Sequence, residues 1–303
     1  MKRSLTILCF TLAISVSVQR SAAQYPYRDD LYFTKDLVLE TGASLGVMNC
    51  FTDLGGRKGV GKKFVKDRNL GNSQVDAGVY ATLFYKYAVG LRFEVTFGHV
   101  TADDKTLESV KETTSGRYER NLSFKSRIRE VSLIAEIHPL YLKRLRAGAK
   151  LPRFSPYALG GIGFFRFKPQ AKLNNQWVDL QPLSTEGQGF AEYPGRKPYK
   201  LTQLVCPVGI GVKYKMTPLL NISFECVSRI LFTDYLDDVS TEYIDPSLYN
   251  QYFAGTKLTN ALLLNDRQKE LNPTHMSNIG WQRGNPNNND SYFTFNIKLA
   301  ALL

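Results

Sequence analysis

The chain has 303 residues, a formal charge of +12, and 17 tyrosines and 18 phenylalanines. After the first 23 residues no run of 18 apolar residues occurs, which excludes a helical membrane protein. A composition rich in aromatics and glycine suits strands, and it suits the aromatic girdles of a membrane barrel.

Residues 1–23 read as a secretory signal peptide. Lys2 and Arg3 form the charged start, Leu5 to Val18 the short apolar stretch, and Ser21 and Ala23 the small residues before a cut at Gln24. Residues 24–303 are then the exported domain. Export removes nucleic acid as a partner. The charge left after Lys2, Arg3 and Arg20 depart, about +9, reads as solubility and contact with anionic lipid headgroups. Cys50, Cys206 and Cys226 remain, and an odd number leaves at least one unpaired. Cys206 and Cys226 fall on neighbouring predicted strands with the same facing. They are either close together or simply small apolar residues facing lipid.

Period-two alternation predicts eight strands. Segment 36–47 sets Leu37, Leu39, Ala43, Leu45 and Val47 against Glu40, Gly42 and Ser44. Segment 74–85 sets Val75, Val79 and Leu83 against Asp76, Gly78 and Thr82. Segment 89–100 sets Leu91, Phe93, Val95 and Phe97 against Arg92, Glu94 and Thr96. Segment 127–138 sets Val131, Leu133 and Ile137 against Glu130, Ser132 and Glu136. In segment 155–168 the facing is ambiguous, and Arg166 and Lys168 point to inward even positions. Segment 201–214 carries Leu204, Val208, Ile210, Val212 and Tyr214. Segment 219–232 sets Ile222, Phe224 and Ile230 against Ser223, Glu225 and Arg229. Segment 291–303 sets Phe293, Phe295, Ile297 and Leu299 against Thr294, Asn296 and Lys298.

Such strands are long enough to cross a bilayer at a tilt. Connections 86–88, 139–154 and 215–218 are the shorter ones, and 48–73, 101–126, 169–200 and 233–290 the longer. The fold class is therefore all-β: an eight-stranded antiparallel transmembrane β-barrel with long extracellular loops and both termini in the periplasm. A soluble barrel needs a polar outer face, and Leu91-Phe93-Val95-Phe97 is the opposite. Glu40, Asp76, Arg92, Glu94, Glu130, Glu136, Lys213, Glu225, Arg229 and Lys298 then share the lumen. Eight strands leave only room for side chains, so an ion-paired plug is expected in place of an open pore. In the last connection Asp245-Pro246 has the form of a helix cap and first turn, and 258–270 reads as helical, over the barrel mouth.

The chemical motifs are weak. GRKGVGKK at 56–63 approaches a phosphate-binding loop, but Lys63 stands where a Ser or Thr belongs and no helix follows. No cofactor-binding or metal-binding spacing is present. His99, near the outer end of the third strand, could serve as a base, yet no catalytic partner accompanies it. Asp234, Asp237 and Asp238 could hold a hard cation, and pairing with Arg120 and Arg127 is the favoured reading. Lys143, Arg144, Arg146, Lys150 and Arg153 crowd one connection on the periplasmic side. They read either as a headgroup-binding turn or as a docking surface for a periplasmic partner.

The loop segments RNLSF (120–124), PQAKLNNQWVDLQPLSTEGQG (169–189), LTQLVCPVGIGVKYK (201–215), FTDYLDDVSTEYIDP (232–246) and RGNP (283–286) carry a resemblance. With them the chain resembles the PorG-like outer-membrane barrel family of the Bacteroidetes type IX secretion and gliding system. The resemblance implies a non-enzymatic barrel in the cell outer membrane. Its implied partners are outer-membrane lipid and a periplasmic ring, built from a lipoprotein and its partner protein, that serves protein export. One departure stands out. Outer-membrane barrels usually end in an aromatic residue, whereas this chain ends Ala300-Ala301-Leu302-Leu303, leaving Phe293 and Phe295 to replace it. The alternative reading is a surface adhesin or ligand-binding barrel acting through its outer loops.

Overall fold

Residues 36–55, 70–114, 116–142, 152–275 and 279–303 are described by a computed structural model. The signal-peptide segment, the phosphate-loop-like GRKGVGKK and most of the basic connection lie outside these residues. Among the described residues there are ten strands: β1 (Leu37–Phe51), β2 (Gln74–Tyr85), β3 (Val89–Asp103), β4 (Ser123–Ile137), β5 (Phe154–Arg166), β6 (Pro169–Leu173), β7 (Gln176–Asp179), β8 (Thr202–Lys215), β9 (Leu220–Leu231) and β10 (Ser291–Leu302). Eight of them close an antiparallel barrel, because β1 pairs with β10, β3 with β4, and β5 with β8.

All eight predicted barrel strands exist. Alternation placed them because each wall residue must choose between the lumen and the outside, a period of one pleat. β1, β3 and β4 run further toward the long-loop end than the alternation suggests, to Phe51, to Asp103 and from Ser123. One facing is corrected. On β5 the odd residues Ser155, Tyr157, Leu159 and Phe165 point inward, and Arg166 and the following Lys168 face out. Those two bases sit at the rim of the wall, where an outward charge meets water or headgroups and carries no burial penalty.

The outer wall is apolar and exposed: Phe93, Phe164, Ile210, Phe224 and Ile297 are each at least half open. A band of this kind on every strand is unfavourable in water and matches a hydrocarbon layer. The turn between β2 and β3 closes with Lys86 and Tyr87 at positive φ (51° and 57°), the geometry that suits tight hairpins. The open ends of β1 and β10 lie on this short-turn side, since Leu37 pairs with Tyr85 and Glu40 with Leu302.

At the opposite end the long connections fold into a cap with its own core. Leu107, Leu183, Phe190, Tyr199, Leu236, Tyr249 and Leu264 join wall residues Met48, Val100, Phe165 and Tyr292 in one apolar cluster. Aromatic rings run upward from the wall. Phe165 stacks on Phe167 at 5.2 Å, Phe167 on Tyr199 at 6.0 Å, and Tyr199 on Tyr235 at 4.7 Å. The capped turn is present: Asp245 accepts from the Ser247 amide at 2.8 Å and starts a short 3-10 helix, Pro246–Leu248. The expected helix appears as Gly255–Asn265 and sends Ala261 and Leu264 into the cap. The β6–β7 hairpin was not anticipated; it turns at Asn174 and Asn175, both at positive φ.

Candidate functional site

Glycine and tyrosine shape the barrel interior. Tyr157 lies across Gly211, its cross-strand partner, so closely that a Cβ there would stand 2.4 Å from the ring. Tyr80 does the same at Gly42, at 2.8 Å. The rings lie flat against the wall and leave the middle of the lumen to charge.

Most of that charge is interlocked. Arg92 on β3 donates Nε to Glu136 at 2.6 Å and Nη1 to Glu94 at 3.0 Å. It also grips Glu225 on β9 with Nη2 at 2.5 Å and Nη1 at 3.1 Å. Lys298 bridges Glu94 at 2.7 Å and Glu225 at 2.9 Å, and the Tyr157 hydroxyl donates to Glu225 at 2.5 Å. Nearer the short turns Lys213 and Asn221 both donate to Glu40, each at 2.8 Å. Nearer the cap Arg229 and the Tyr292 hydroxyl donate to Glu130, at 3.2 and 2.7 Å, and Arg229 also reaches Thr294. Asn296 donates to Asp76 at 2.8 Å. All ten charged side chains expected in the lumen are buried there. Arg92 and Lys298 are only 1 % exposed, so no water-sized path passes them. Six carboxylates against four bases leave an excess of acid, and two or more donors to every carboxylate except Asp76 offset the loss of water.

The cap is held by Glu186 and Arg283. Glu186 accepts from the Ser240 and Thr241 amides at 2.9 and 3.0 Å, and Arg283 Nη1 donates to it at 2.9 Å. Arg283 also donates to the Asp238 carbonyl at 2.7 Å, so the 169–200 and 233–290 connections are tied together. Arg120 does not pair with Asp234, Asp237 or Asp238. It is bound to Asp104, at 2.8 and 3.0 Å, because both flank the β3–β4 connection. Arg127 points outward from β4 and makes no ion pair with them.

The three aspartates therefore meet different surroundings. Asp238 accepts from Thr185 and Tyr199, each at 2.5 Å, and burial still lifts its carboxyl to about 6. Asp234 lies among other carboxylates; burial, then Asp237 and Asp53, push it up to about 9. Burial likewise raises Asp237 and Asp290, each reinforced by neighbouring carboxylates. Among the described residues no three His, Cys, Asp or Glu side chains are arranged to hold a metal ion.

His99 Nε2 lies 3.0 Å from the Gln74 amide oxygen, which supplies neither a nucleophile nor a carboxylate. His138 lies 3.0 Å from Ser155 and 3.3 Å from Glu136, a grouping that strand alternation concealed because the three lie on two strands and a turn. Ser155 is 1 % exposed and the same Glu136 is claimed by Arg92, so this set closes the short-turn end of the lumen. Cys206 pairs in register with Ile230 and Cys226 with Ile210, four residues further along the strand, and no disulfide joins them. Of the basic connection, Arg153 is described and exposed; Lys143, Arg144, Arg146 and Lys150 lie outside the described residues.

Comparison with known proteins gives likenesses of fold. Neisserial surface protein A is 8 % identical, with 88 % of this chain and 97 % of that one covered and a TM-score of 0.38. Ail, the attachment invasion locus protein of Yersinia pestis, solved with the heparin analogue sucrose octasulfate, is 8 % identical over 88 % and 97 %, at 0.35. A major outer membrane protein from Thermus thermophilus is 13 % identical over 89 % and 100 %, at 0.36. A search of curated proteins gives no match. The model of one family, described as a domain of unknown function (DUF6089), matches residues 61–252, more than half of the chain. This chain belongs to the DUF6089 family.

Proposed function

We propose that this protein is a non-enzymatic outer-membrane barrel that anchors or organises the periplasmic ring of a type IX secretion apparatus. The sealed lumen carries the reading: a barrel with Arg92, Lys298 and Glu225 locked across its centre offers no passage. It acts through its ends and wall. Apolar outer strands fix it in the bilayer, and the short-turn end, with the basic connection 139–154, faces the periplasm. The resemblance of its loop segments to PorG-like barrels supports the ring as partner. Reversing charge with Arg144→Glu, Arg146→Glu and Lys150→Glu tests this. Ring proteins should stop co-purifying while the barrel still inserts; unchanged co-purification overturns the assignment of that surface.

A surface-binding barrel is the second reading, favoured by one observation: the long loops bury a core of their own and present Trp177 and Trp281 half-exposed or more. Deleting 247–280 would not separate the readings, since it removes Tyr249 and Leu264 from that core. Trp177→Ala with Trp281→Ala does: a surface binder loses its ligand, and a periplasmic anchor keeps its ring.

A further inference from the structure

The outer wall changes chemistry at one level. On β4 the outward residues read Ile137, Ala135, Leu133, Val131, then Arg129, Arg127, Lys125. On β5 they read Ile162, Phe164, then Arg166, and Lys168 follows just beyond the strand with the same outward facing. The register makes the change coincide. Val131 stands opposite Phe164, and one rung toward the cap Arg129 stands opposite Arg166. Lys125 stands opposite Gln170 in the same alignment, which brings Lys168 beside Arg127; the Lys168 amide donates to Ser126 at 3.1 Å. On its other side Arg127 faces His99 and Arg129 faces Phe97.

Like charges directly opposite on a sheet repel, with Cβ atoms only about 5 Å apart. The fold does little to relieve them. Asp179 answers Lys168 at 2.7 Å, but Arg127, Arg129 and Arg166 are exposed and make no ion pair within the described residues. Their guanidinium groups are unused forks of the kind that bind phosphate in pairs. Directly beneath lies the apolar belt, with Phe164 and Ile162 more than 60 % exposed. Beside them Lys125 Nζ sits 5.5 Å over the ring of half-exposed Trp177, an aromatic at the level where membrane proteins carry them.

We propose that this ladder of Arg127, Arg129, Arg166 and Lys168 is a binding site for the phosphates of an anionic lipid headgroup, with the acyl chains lying on Phe164, Ile162 and Val131. An occupant that answers both levels must carry phosphate above and hydrocarbon below, joined within one rung of the sheet. A soluble anion leaves the apolar half unused, and a neutral lipid leaves the cations unanswered. Two or more cations per phosphate are available, so a diphosphorylated glycolipid uses the ladder more fully than a lipid with one phosphate. The inference rests on the membrane-spanning reading of the wall. That this leaflet is the outward one rests on the orientation proposed above.

The test uses the full chain in mild detergent, titrated with diphosphoryl lipid A, with bound lipid counted by native mass spectrometry. The triple variant Arg127→Gln, Arg129→Gln, Arg166→Gln should bind roughly tenfold or more weakly, and dephosphorylated lipid A should bind the wild type no better than that. All three side chains are exposed, so the variant should keep the heat-modifiable gel mobility of a folded barrel. If it does not, Arg129→Gln alone gives the same comparison with a smaller loss. Equal binding by the variant, equal binding of the dephosphorylated lipid, or full competition by millimolar inorganic phosphate each overturns the proposal. Orientation is read separately, by trypsin added to intact cells. Protection of Lys172 and Lys200 with lipid binding intact would refute the orientation and leave the ladder standing.

Discussion

Arg92 and Glu225 clasp one another across the barrel lumen, from opposite walls on β3 and β9, through two hydrogen bonds of 2.5 and 3.1 Å. The same carboxylate takes Lys298 and Tyr157, so one side chain ties three further strands to β9. Glu225→Gln keeps the shape and removes the charge, leaving two buried cations short of a partner. A loss of about 3–5 kcal/mol is expected, typical for breaking a buried pair from one side. Urea unfolding of the purified barrel, followed by gel mobility, checks it.

Gly211 is required by the ring of Tyr157, which occupies the space a side chain would fill. Gly211→Val should destabilise the barrel by about 1–3 kcal/mol through overpacking. Gly160, whose added Cβ would meet nothing within 4 Å, should accept alanine with a much smaller loss. Comparing the two variants in the same unfolding assay separates close approach from a general intolerance of side chains in strands.

The eight barrel strands were legible because lipid on one side and a charged lumen on the other enforce alternation along nearly every wall segment. Leu91 to Phe97 against Arg92, Glu94 and Thr96 left no other reading. β5 misled because glycines 160, 161 and 163 erase the pattern in its middle, and the remaining guide, Arg166 and Lys168, belongs to the rim. The β6–β7 hairpin carried a signal that could have found it: Asn174-Asn175 between short alternating runs is turn chemistry for positive φ. The partners of the cap charges carried none. Arg120 with Asp104 and Arg283 with Glu186 join residues 16 and 97 positions apart in loops without periodicity.

The aspartate group should make the cap sensitive to alkali. Raised carboxyls hold their protons more tightly in the folded cap than in the open chain. Their contribution is complete below the ordinary value, near 4, and is lost as pH rises through the folded values, about 6 at Asp238 and about 9 at Asp234. Limited proteolysis of the loops should therefore quicken between mildly acid and mildly alkaline solution. Asp234→Asn should flatten the alkaline part of that profile and leave the barrel band intact.

Arg283 holds the cap by donating to Glu186 and to the Asp238 carbonyl, and it is 2 % exposed. Arg283→Ala strands a buried carboxylate. Loop cleavage by added protease should rise sharply while membrane insertion and the lumen network persist, because the two clusters share no hydrogen bond. Cleavage at the wild-type rate would show that the cap is held by its apolar core alone.

The most direct test of the proposed role is crosslinking of tagged protein in native outer membranes, followed by mass spectrometry of what co-purifies. Recovery of periplasmic ring proteins, with crosslinks on the 139–154 connection, is the predicted result. Recovery of the barrel alone, or with ligands attached only through the loop cap, would contradict it.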